Sequence, residues 1–148
     1  MLIYREIFYV LFACVKLFID LNIVNNFINN INLILGGKMT DIQKELYKLI
    51  KEIDEICTKN DIVYYLVGGS AIGALRHRGF IPWDDDMDIE MTRDNFHKFI
   101  EACKTQMPPN RKLACQELDR NYHNNFARYM DTTTSAIHIN QLIHKKDS

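Results

Sequence analysis

Between Thr40 and Cys57, apolar residues recur at intervals of three and four: Ile42, Leu46, Leu49, Ile50, Ile53, Ile56 and Cys57. That spacing lines one face of a helix. Lys44, Lys48, Lys51, Glu52 and Glu55 fall on the solvent side. Thr40 with Gln43 reads as a capping box that opens the helix, and Asn60-Asp61 closes it. The period then changes. Ile62 to Val67 is a β-branched and aromatic run without polar alternation, which predicts a strand buried on both faces. Gly68-Gly69-Ser70 predicts a turn into a short helix, Ala71 to His77, ended by Gly79 and blocked from resuming by Pro82. Met87-Asp88-Ile89-Glu90-Met91 alternates strictly, a strand with one apolar face. Thr92 or Asp94 caps a further helix carrying Phe96, Phe99, Ile100 and Cys103, which Pro108-Pro109 stops. Weaker patterns at Phe126 to Met130 and Ala136 to Ile139 predict strands around the Thr132-Thr133-Thr134 loop.

Residues 1–38 follow a different pattern. Ile7 to Ile19 is apolar except for Lys16. As a helix it would reach about 20 Å, short of the roughly 30 Å hydrocarbon layer of a membrane. From Val24, apolar residues recur at helical spacing, with six asparagines between Asn22 and Asn32. Three readings compete: a packing helix or helix pair, a membrane-associating anchor through residues 7–24, or a stretch outside the functional domain with Met39 as the true start. Gly36-Gly37 marks the break. The division is therefore 1–38, an apolar, Asn-rich helical extension, and 39–148, the chemical domain.

Composition narrows the function classes. The chain has 148 residues, 47% hydrophobic and 25% charged, with 18 Lys plus Arg against 19 Asp plus Glu. Such a balance excludes a disordered chain and a basic nucleic-acid tail, so no nucleic-acid partner is expected. Cys14, Cys57, Cys103 and Cys115 form no CxxC pair, which predicts reduced, buried thiols rather than a zinc site.

The chemistry concentrates between Gly68 and Arg93. Gly68 and Gly69 permit close approach of a ligand to the backbone. Gly69 and Ser70 sit at a helix start, where free N–H groups favour a phosphate. On a strand, Asp86 and Asp88 would point to the same face, about 7 Å apart at the backbone, able to converge on one divalent cation. Oxygen ligands suit Mg²⁺ or Mn²⁺. Glu90 lies one step further on that face, and Asp84 and Asp85 raise the local negative charge. Four carboxylates in five residues need a cation or an arginine nearby to stay ionised. Arg76, Arg78 and Arg93 flank them, and Arg76 and Arg93 are the candidate phosphate clamps. His77 as a general base and Trp83 as a stacking platform are lesser candidates. For Trp83, the plain alternative is loop packing.

The stretch Tyr64 to Phe99, YYLVGGSAIGALRHRGFIPWDDDMDIEMTRDNFHKF, resembles the LicD family of phosphotransferases in the nucleotidyltransferase superfamily, to which the fukutin-type proteins are related. The likeness covers roughly Thr40 to Cys103, and its RHRGFIPWDDDMDIEM segment is highly specific. The resemblance implies an α/β fold, a small mixed sheet flanked by helices, with Gly69-Ser70 as the turn and Asp86 and Asp88 as the catalytic metal pair. It also implies Mg²⁺-dependent transfer of a phosphorylated alcohol, such as phosphocholine, from a CDP-linked donor to a glycan hydroxyl. The setting would be lipopolysaccharide or other cell-surface polysaccharide, in the cytoplasm or at the cytoplasmic face of the membrane. Family members carry a further acidic strand downstream that is not found here. The expectation is thus an incomplete domain, with Asp131 the candidate substitute for a third carboxylate. Two rivals stand beside this reading: a catalytically inactive remnant that binds nucleotide or a partner, and a toxin–antitoxin-type nucleotidyltransferase, against which the FIPWDDD loop argues.

Overall fold

The expected capping box forms in full. Gln43 N–H donates to Thr40 Oγ1 at 3.1 Å, and Thr40 N–H donates to Gln43 Oε1 at 3.2 Å. It opens helix α1, Asp41–Lys59. The computed structural model describes residues 39–134; residues 1–38, with the extension and the proposed anchor, and the strand expected at Ala136 to Ile139 lie outside the described residues. No helix among the described residues is long and apolar enough to cross a membrane.

After α1 come β1 (Tyr64–Leu66), α2 (Gly68–Ile72), a π-helical turn (Gly73–His77), β2 (Ile89–Met91), α3 (Arg93–Gln106), β3 (Arg111–Ala114) and β4 (Arg128–Asp131). The described residues fall into two compact units, 39–47 with 64–92, and 48–63 with 93–134. Helices and small sheets make up both, as an α/β reading requires. The sheet differs from expectation. Among the described residues it is not one mixed sheet but two antiparallel two-stranded pairs.

In the first unit, β1 pairs with β2 in the register Tyr64↔Met91, Tyr65↔Glu90 and Leu66↔Ile89. Tyr64 and Leu66 are each 2% exposed, whereas Tyr65 is half-buried. The strand is therefore covered on one face rather than both. β2 is also shorter than its alternation suggests. The Asp88 N–H goes to the Ser70 hydroxyl at 2.8 Å, so the ladder gains only one more rung, Val67 N–H to the Asp88 carbonyl. The short helix starts earlier than predicted, at Gly68, and widens into the π-helical turn. Arg78 ends that turn in the left-handed region, φ 55°. A β-carbon on Gly73 would lie 2.5 Å from the Gly79 carbonyl oxygen, so only glycine allows this close return of the chain.

In the second unit, α1 ends in a Schellman-type closure: Asp61 is left-handed (φ 51°), and the Ile62 N–H reaches back to the Cys57 carbonyl at 2.9 Å. Ile50, Ile53, Ile56, Phe99, Ile100 and Leu113 are buried there, each branched aliphatic contributing about 2 kcal/mol by leaving water. Cys57, Cys103 and Cys115 are buried free thiols. Burial, the first cause in each case, pushes Cys57 up to about 12 and Cys103 up to about 11; such thiols are unreactive.

Two helix positions depart from the expected faces. Ile42 is 56% exposed, and Gln43 takes the inward place, because residue 43 lies on the stripe of 46, 50, 53 and 57. Glu52, expected in solvent, is half-buried against Arg111 of β3, a strand the pattern did not announce. The Arg111 guanidinium donates Nε–H and Nη2–H to the two Glu52 oxygens, both at 2.7 Å, and Nη1–H to Asp131. Tyr129 O–H also donates to Glu52 at 3.3 Å. With the arginine side chain only 7% exposed, this network ties α1 to the β3–β4 pair, whose register runs Arg111↔Asp131 to Ala114↔Arg128.

Candidate acidic site

The acidic residues lie in the first unit, on the loop that enters β2. This corrects one expectation: Asp86 and Asp88 precede the strand rather than belonging to it, so strand pleating does not set their direction. The group that the loop brings together is a different one, without Asp88. One ligand oxygen each from Asp84, Asp85 and Asp86 lies within 4.8 Å of the others.

The carboxylates meet the glycine turn. A β-carbon built on Gly69 would lie 2.7 Å from Asp84 Oδ2, and one on Gly68 would lie 3.3 Å from Asp88 Oδ2. Gly68 also has φ +54°, where other residues are strained. Gly68 is thus required for conformation, and a side chain at 69 would displace the Asp84 carboxylate. Ser70, 6% exposed, accepts the Asp88 N–H with its hydroxyl. It therefore fixes the acidic segment with its side chain, while its backbone N–H remains among the first helical donors. In a helix those first N–H groups have no intrahelical partner; here Ala71 N–H is already bonded to the Val67 carbonyl.

The electrostatics are one-sided. Burial pushes the Asp84 carboxyl above its ordinary range, reinforced by the charge of Asp86, a hydrogen bond with it, and the charges of Asp85 and Asp88. Burial likewise raises Asp88, with the charge of Asp86 second. Among the described residues, no arginine or lysine stands at ion-pair distance from these four carboxylates.

The flanking candidates are distributed differently. Arg76 is exposed, with Nε 3.5 Å from His77 Nδ1. Arg93 opens α3 in the second unit, where it pairs with Glu117 at 3.1 Å. Glu90 is half-buried opposite Tyr65. Trp83 is 79% exposed with His77 edge-on at 6.5 Å, so it does not pack the loop. Asp131, the candidate substitute carboxylate, is occupied in the second unit: Thr133 first and Arg111 after it hold its carboxyl below the usual range. In the sequence Asp84 reads only as added charge. Its place on Gly69 needed the loop path, though the glycine pair was a signal that something approaches there.

Comparisons with known proteins place the chain in a family. Over 47 residues the chain is 51% identical to the lipopolysaccharide cholinephosphotransferase LicD of Haemophilus influenzae, covering 32% of this chain and 18% of that protein. Uncharacterized proteins of Rickettsia prowazekii and Rickettsia typhi are each 49% identical over 53 residues, 35% of this chain and 20% and 17% of theirs. The chain thus matches about a fifth of the length of these curated relatives. No solved structure matches significantly. The family model described as LicD/FKTN/FKRP, nucleotidyltransferase domain, matches residues 61–148, more than half of the chain and the whole of the acidic site. This chain therefore belongs to the LicD family of nucleotidyltransferase domains.

Proposed function

We propose that this chain carries the cation-holding part of a transferase that moves a phosphorylated alcohol, phosphocholine or a close analogue, from a CDP-linked donor to a glycan hydroxyl. The setting would be modification of lipopolysaccharide or another cell-surface polysaccharide. The observation that carries this reading is the cluster of Asp84, Asp85 and Asp86, with Asp84 and Asp88 seated against the Gly68-Gly69 turn, in a member of the LicD family. The activity named for the Haemophilus relative supports it.

The residues present fit Mg²⁺ or Mn²⁺. Their ligand atoms are all hard oxygens, those of Asp84, Asp85 and Asp86 are close enough to share an ion, and the neighbouring carboxylates raise Asp84 rather than relieve it. A bound divalent cation supplies charge neutralisation at a phosphoryl group. Asp86 and Asp88 would hold it, joined by Asp84. The Ser70 hydroxyl keeps Asp88 in place, and the Gly69 and Ser70 N–H groups offer donors to a phosphate oxygen. Arg76 is the clamp for the donor phosphates. Arg93, the other candidate clamp, is paired with Glu117 in the second unit. Catalysis in this scheme is positioning and charge compensation, without a covalent enzyme intermediate.

The test is CDP-choline binding to the full chain with and without Mn²⁺, beside Asp86→Asn and Asp88→Asn. The expected result is Mn²⁺-dependent binding that each substitution abolishes while the circular dichroism spectrum is unchanged. Equal affinity in wild type and both variants would sink the site assignment. Metal-dependent binding without transfer to any glycan acceptor would favour the nucleotide-binding remnant.

A further inference from the structure

Gln43 lies outside the stretch matched by the family model, yet it is among the most deeply buried side chains of the chain, 2% exposed. Its carbonyl oxygen serves the capping box. Its amide nitrogen points elsewhere, donating to the carbonyls of Ile81 at 3.1 Å, Pro82 at 3.4 Å and Asp84 at 2.9 Å. An amide has two N–H groups, so one of them is shared between two of the three carbonyls. The Asp84 N–H closes the same loop onto the Ile81 carbonyl at 2.9 Å. Residues 81–84 therefore wind around a single side chain that comes from the first turn of α1.

Among the described residues, little else holds this loop. Pro82 and Trp83 are exposed, as are Asp85 and Asp86 beyond. Buried Phe80 anchors only its upstream end. Asp84 is thus fixed by its backbone carbonyl on Gln43, while its carboxylate rests against Gly69. Helix capping alone does not require those amide contacts, since an acceptor at position 43 suffices for the cap.

We infer that Gln43 is a positioning residue of the acidic site: its amide sets the path of residues 81–84 and so the place of the Asp84 carboxylate. This rests on the reading of the acidic cluster as a cation site. The test separates the two jobs of the side chain. Gln43→Glu keeps the capping acceptor and removes the donors. Gln43→Met fills the same volume and removes both. Thr40→Ala breaks the cap and leaves the donors.

Mn²⁺ affinity of the full chain is read from the free-ion electron paramagnetic resonance signal, with circular dichroism as the fold control. The expected result is a loss of about 10- to 100-fold in Gln43→Glu and Gln43→Met, the size seen when a group that orients a metal ligand is removed. Thr40→Ala melts earlier but binds Mn²⁺ as wild type does. Wild-type affinity in both folded Gln43 variants overturns the inference and leaves the cation site standing. An equal loss in Thr40→Ala assigns the effect to capping and overturns it as well. Unfolding of both Gln43 variants makes the residue a core element only, again against the inference. No Mn²⁺ binding by the wild type removes the cation site and the inference together.

Discussion

Replacing Gly73 by alanine sets a methyl group 2.5 Å from the Gly79 carbonyl oxygen and 3.2 Å from the Ile81 amide nitrogen. Both are backbone atoms, so neither can swing aside. The π-helical turn must open or the loop must retreat. Forcing one methyl into such a space costs about 1–3 kcal/mol, offset in part by the better helix propensity of alanine, up to about 1 kcal/mol. A net loss of about 1.5 kcal/mol lowers the melting temperature by about 5 °C for a chain of this size. Gly69→Ala makes the informative contrast. There the new methyl meets Asp84 Oδ2 at 2.7 Å, the far end of a side chain free to rotate. The fold loses little, and the melting temperature stays within about 2 °C of wild type. Asp84 leaves its place, however, and Mn²⁺ affinity falls. Thermal melts by circular dichroism, with Mn²⁺ titrations of the same samples, read both effects. A wild-type melt for Gly73→Ala, or a larger stability loss for Gly69→Ala, would refute the reasoning.

Glu52→Gln removes the charged partner of a buried guanidinium and should cost about 2 kcal/mol, seen in urea unfolding as a lower midpoint at unchanged slope. The Asp131 carboxyl, lowered by Thr133 and Arg111, adds stability that is present above its unfolded value of 3.8 and lost as pH falls through the lowered one. Asp131→Asn should therefore flatten the acid limb of the stability profile and leave its slope near neutrality unchanged. Because burial holds Cys57 near 12 and Cys103 near 11, both thiols stay protonated at pH 8. Their labelling by a disulfide reagent should follow global unfolding, accelerating with urea, and rapid labelling in native buffer would contradict their burial.

Much of the local structure was legible because it depends on neighbours in the chain. The capping box, the α1 period, the Asn60-Asp61 stop and the helix after Thr92 involve residues within a few positions of one another, and each appears. Where the reading failed, a distant partner decided. Ile62 to Val67 reads as a strand buried on both faces, but composition does not say how many layers cover it. Met87 to Met91 alternates correctly, yet the Ser70 hydroxyl takes the Asp88 N–H and shortens the strand. β3 has an unremarkable pattern, Arg-Lys-Leu-Ala, and is held by an ion network reaching back 59 residues to Glu52.

The sequence by itself determined the chemistry of the site: two glycines, a serine and closely spaced carboxylates whose charges must be compensated. Residue identity sets that, whatever path the chain takes. Tertiary structure alone decided the geometry. It put Asp84 rather than Asp88 against Gly69, committed Asp131 to Arg111, and turned Gln43 from a cap into the centre of the acidic loop. Hydrogen-bond partners 38 to 41 residues apart leave no periodic trace in a sequence, because no local spacing constrains them. They are chosen only when the chain closes on itself and every buried donor must find an acceptor.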